Sequence, residues 1–111
     1  MPSSLASLVS DINTCNGLGF SVQLADNVKS FLWRRYDPNG LLVYPSIDSW
    51  PELLKRCIKS DDFDTLNKEQ VLSILFGLMH RERVVDGLWR SMFEWGVAQK
   101  LLVRLSSLDA D

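Results

Sequence analysis

Read as apolar and polar positions, the chain resolves into helical stripes separated by turn signals. Leu5, Leu8, Val9 and Ile12 share one helical face after Ser3 or Ser4, and that pattern stops near Asn16-Gly17. A second helix is predicted over Val22 to Tyr36, with Leu24, Val28, Phe31 and Leu32 as its stripe and Arg34 and Arg35 in the last turn. Asp37-Pro38-Asn39-Gly40 is a turn signal, since Pro presets φ and Asn-Gly tolerates positive φ. Leu41 to Tyr44 then reads as a short extended connector.

Ser49-Trp50-Pro51-Glu52 starts the next helix, with Ser49 as cap and Pro51 in the first turn, where its missing N–H has no helical partner. Leu53, Leu54, Cys57 and Ile58 form its predicted buried side up to Ser60, and Asp61 to Asp64 is an acidic loop with Phe63 tucked inward. Asn67-Lys68-Glu69-Gln70 has the form of a capping box with Asn in place of Ser or Thr.

The helix after it, at about 67–81, carries Val71, Leu72, Ile74, Leu75, Phe76, Leu78 and Met79 on more than one face. A helix apolar on several faces is packed on several sides. Gly77 inside it costs about 1 kcal/mol relative to Ala, which predicts close approach of another helix. After the corner His80-Arg81-Glu82-Arg83, a helix is predicted near Val85 to Trp95, with Leu88, Met92 and Trp95 on its apolar stripe. Gly96 breaks it. Val97 to Leu105 forms the last helix with Leu101, Leu102 and Leu105 inward, and 106–111 reads as a flexible polar tail.

These patterns define an all-α fold: a compact bundle of five or six short helices around the helix at 67–81. The 111 residues fit one domain. With 46% hydrophobic and 23% charged residues, the composition is that of an ordinary globular chain. The net charge of −2 gives no general attraction to a phosphate backbone. No stretch approaches the roughly 18 apolar residues of a membrane span. The N-terminus lacks a basic region and meets Asp11 early, so the chain reads as cytoplasmic.

The residues between Trp50 and Leu105 also carry a resemblance. An apolar helix, an Arg-rich corner, Gly87, a nine-residue step to Gly96 and a Leu-rich end at Leu101, Leu102 and Leu105 follow the Trp50-Pro51-Glu52 start. Over about 45–105 this resembles a small bacterial family known only as a domain of unknown function. That family tends to carry an aromatic after the corner Arg, where this chain has Val84. The resemblance implies an α-helical bacterial or mobile-element protein and brings no chemistry with it.

Candidate chemistry is sparse. Cys15 and Cys57 have no CxxC spacing, and His80 is the lone histidine, so neither a zinc motif nor a cofactor motif is present. A Cys57–His80 dyad would need the fold to join them and a third group to orient the base. Asp61, Asp62 and Asp64 lack the Gly and terminal Glu of a calcium loop. Trp33-Arg34-Arg35-Tyr36 is a denser signal, because Trp, Arg and Tyr are enriched at binding hot spots.

The expectation is therefore a non-enzymatic protein-interaction module, an inhibitor or adaptor from a bacterial or phage accessory locus. It would contact a protein partner or a second copy of itself through Trp33, Arg34, Arg35, Tyr36, Arg81 and Arg83. No metal or cofactor is expected. The alternative is a small nucleic-acid-associated regulator with a helix-turn-helix-like corner at 79–95, where Arg81, Arg83 and Arg90 would face phosphate. Glu82, Asp86 and Glu94 interleave with those arginines and count against it.

Overall fold

The computed structural model describes Ser7, Val9, Ser10 and residues 22–37 and 47–108, with the side chains of 22–24 left aside. Ser7, Val9 and Ser10 are helical, and Val9 packs against the core. The rest of the predicted first helix, the turn after Asp37 and the connector at 41–44 lie outside the described residues. Within those residues the regular structure is helical: α1 (Val22–Tyr36), α2 (Trp50–Ser60), a 3-10 turn (Phe63–Thr65), α3 (Lys68–Arg81), α4 (Leu88–Glu94) and α5 (Val97–Leu108). The all-α bundle predicted from periodicity is the observed architecture.

The core gathers around α3. Every residue from Val71 to Met79 is buried, Ser73 and Gly77 included. Leu54 and Cys57 of α2, Phe93 of α4 and Leu101, Leu102 and Leu105 of α5 join them in one buried cluster. The start of α3 is fixed as its sequence indicates. Asn67 Oδ1 accepts from the Gln70 backbone N–H at 2.8 Å, and Gln70 Oε1 accepts from the Asn67 N–H at 2.9 Å. Two orphan donors of the first turn are thereby satisfied. Gly77 does have a close neighbour, in the form of a single ring: a Cβ there would stand 2.3 Å from Cε2 of Trp50, the first residue of α2.

Four expectations need correction. Ser49 occupies the cap position of α2 without a side-chain cap bond. Ile58 is half exposed, because the buried stripe of α2 is Trp50, Leu54 and Cys57; Ile58 lies about 80° round from Trp50 at 3.6 residues per turn. The helix expected from Val85 starts at Leu88. Residues 82–87 form turns, and Gly87 at φ +80° separates them from α4. The last helix continues to Leu108, through residues that read as tail.

Glu82 ties the corner together. Its Oε1 accepts from Lys29 Nζ at 2.6 Å, and its Oε2 accepts from the Trp89 backbone N–H at 3.0 Å, in the first turn of α4. The Trp89 indole N–H donates to the Ala25 carbonyl at 2.9 Å. One carboxylate thus caps α4 and clamps α1 to it. Replacing Glu82 by Ala should cost about 1 kcal/mol, the usual scale of a lost helix cap, because the partly exposed ion pair adds little. Urea denaturation checks this. An unchanged midpoint would mean that solvent replaces both contacts.

Candidate protein-interaction surface

At the end of α1 the four expected contact residues part company. Trp33 turns inward: its ring meets Phe76 edge-on at 4.9 Å and His80 at 5.7 Å. Arg34 is exposed, and its Nε donates to the Ser30 carbonyl at 3.4 Å. Arg35 and Tyr36 are half-buried. The Arg35 guanidinium lies 5.6 Å from the Tyr36 ring centre and its Nε donates to the Tyr36 hydroxyl at 3.2 Å. Lys68 Nζ stands 5.7 Å from the same ring. Two cations, Arg35 and Lys68, therefore gather at one tyrosine, and cations near an aromatic face are favoured electrostatically.

The corner arginines are elsewhere. Arg81 lies over the Trp50 ring at 5.5 Å from its centre, so Trp50 touches α3 at two points one turn apart, Gly77 and Arg81. Arg83 is exposed on the other side of the corner. Lys68 and Arg81 bound α3 at its two ends. Thirteen steps at 1.5 Å place them about 20 Å apart, so the Tyr36 patch and the corner form two separate surfaces.

Trp33 and Arg83 do share a cleft of about 500 Å³ between α1, the end of α3 and the start of α4. Asp26, Lys29, His80 and Asp86 also line it. His80 Nε2 is buried behind the cleft surface, without a hydrogen-bond partner among the described residues. A second groove, of about 470 Å³, runs along α5 over Phe63 and Val103. Its rim is closed by the Lys100–Asp61 pair at 2.6 Å, and Arg104 Nε donates to the Leu66 carbonyl at 2.8 Å.

Two features escaped the sequence reading. Lys68 completes the Tyr36 patch, and nothing local signals a contact between residues so far apart in the chain. Trp95, expected on the inner stripe, is 70% exposed at the end of α4. The buried arc of α4 is Trp89, Met92 and Phe93, and Trp95 falls beyond its edge on the side of half-buried Leu88. The surplus of tryptophans over core demand was the available signal. Trp50 and Trp89 are buried, and Trp33 is half-buried.

Cys57 is fully buried. Burial, then the neighbouring Asp62 charge, pushes its thiol above the usual range, against a smaller opposing pull from Arg56. A thiol held protonated is a poor nucleophile. Among the described residues no three of His, Cys, Asp and Glu gather as a metal would need, and no helix is long and apolar enough to cross a membrane.

No protein-family model, curated protein or solved structure matches this chain.

Proposed function

We propose that this protein is a non-enzymatic protein-interaction module that works as an adaptor or inhibitor by covering a surface of its partner. The observation that carries this reading is Trp95, 70% exposed in a domain that buries Trp50 and Trp89. A Trp side chain offers roughly 150–250 Å² of contact, and covering most of it is worth about 3–4 kcal/mol before the costs of association. The Tyr36 patch supplies a second, cationic contact through Arg35 and Lys68, with the exposed Arg34 in the same last turn of α1. The helix-turn-helix alternative draws less support. Helix α4 has seven residues, buries Trp89, Met92 and Phe93, and pairs Arg90 Nε with Glu94 at 3.2 Å. Few groups remain on it to read base edges.

The test compares wild type with Trp95→Ala and with Arg34→Ala/Arg35→Ala. Affinity capture from the native host identifies a partner, and sedimentation of the purified chain detects self-association. Both variants should keep the wild-type melting temperature, since Trp95 and Arg34 are exposed and Arg35 lies at a helix end. At least tenfold weaker association, about 1.4 kcal/mol, is expected for Trp95→Ala. Equal association by all three proteins would remove the basis for the reading. Retention of duplex DNA at physiological salt, lost in Arg81→Ala or Arg83→Ala, would replace it with the nucleic-acid reading.

A further inference from the structure

The charged groups around the cleft between α1, α3 and α4 divide into those that neutralise one another and those that do not. Lys29 pairs with Glu82, and Arg90 pairs with Glu94. Asp26, Asp86 and Arg83 line the same cleft, and none of them has an ion-pair partner among the described residues. Two carboxylates thus face one guanidinium. Beside them lie the His80 side chain and the half-buried Trp33 ring.

We propose that this cleft binds an alkylammonium group. A cation there gains from Asp26 and Asp86 and from the indole of Trp33, since carboxylates and aromatic faces both attract positive charge. Among the groups without an ion-pair partner, an anion gains only from Arg83 and is repelled by two carboxylates. A neutral apolar ligand leaves all of these groups unmatched. The volume of about 500 Å³ admits a four- or five-carbon amine, and ligand sites commonly span roughly 300–1,000 Å³. The ammonium comes either from a free diamine or from a lysine side chain of a protein. This site is separate from the Trp95 and Tyr36 contacts and does not depend on them.

The experiment is an NMR titration of the full chain, following the Trp33 indole and His80 ring signals. The probes are n-butylammonium, 1,5-diaminopentane, Nα-acetyl-lysine amide and the neutral control n-butanol. The ammonium probes should shift both signals at millimolar concentration, and n-butanol should not. Asp26→Asn/Asp86→Asn should bind about two- to fivefold more weakly per lost charge, the scale of exposed charge pairs. Arg83→Gln should bind more tightly, because it removes a like charge. All three residues are exposed, so these variants test the site without opening the core. Tighter binding of the lysine amide than of the diamine assigns the cleft to a protein side chain, and the reverse order assigns it to a free diamine. Equal shifts with n-butanol, no shift with any ammonium probe, or weaker binding by Arg83→Gln would overturn the proposal.

Discussion

Gly77→Ala should destabilise the protein by up to about 2 kcal/mol, although alanine is the better helix former. The new methyl would stand 2.3 Å from Cε2 of Trp50 and 2.6 Å from two more ring atoms. These are atoms of a rigid ring, held at the first residue of α2 and covered on one side by Arg81. Overpacking of this kind costs about 1–3 kcal/mol and occasionally more. Helix propensity returns roughly 1 kcal/mol. The steric term therefore wins while the ring is present. In a Trp50→Ala background the clash is gone and only the propensity remains, so Gly77→Ala should there stabilise by up to about 1 kcal/mol. Guanidinium denaturation of the four proteins checks the reversal of sign. A loss of equal size in both backgrounds would mean that something other than Trp50 excludes the methyl.

Gly96→Val should cost about 2–3 kcal/mol, near the upper end for strain at a special backbone position. Gly96 has φ +79°, and a Cβ there would meet no atom of the described residues within 4 Å. The cost is thus conformational, with no steric part. A graded series should follow: Asn least harmful, Ala intermediate and Val worst, since Asn tolerates left-handed backbone and β-branched residues do not. Thermal denaturation of the three variants tests it. Equal losses for Asn and Val would point to a contact effect instead.

The features that were legible from the chain are those decided within a few residues. Asn67 and Gln70 lie one turn apart and cap each other, a bond pattern that their four-residue segment alone specifies. The bounds of α1 and the helix break at Gly96 are local in the same sense. What escaped depends on where a neighbouring helix ends. Ile58 and Trp95 both sit at the margin of an apolar stripe. Periodicity places them toward the core, but it does not say whether a neighbour extends far enough to cover them. Trp33 shows the converse. Beside two arginines it reads as surface, yet Phe76 and His80 receive its ring. The Tyr36 patch needed Lys68 from another helix, and the cleft needed three separate segments.

Nine consecutive buried residues in α3 also bear on how the domain comes apart. Helices α2, α4 and α5 all pack on α3. The amide hydrogens of Leu75 to Met79 are bonded within a rod that has no water-facing side. They can exchange with solvent only when the surrounding helices separate, which makes their exchange a direct gauge of global unfolding. Termini and short surface turns open at far lower cost. A protease nicking the exposed corner at Val84 would therefore meet a molecule that is either whole or wholly unfolded, with no stable remnant built on α3 alone.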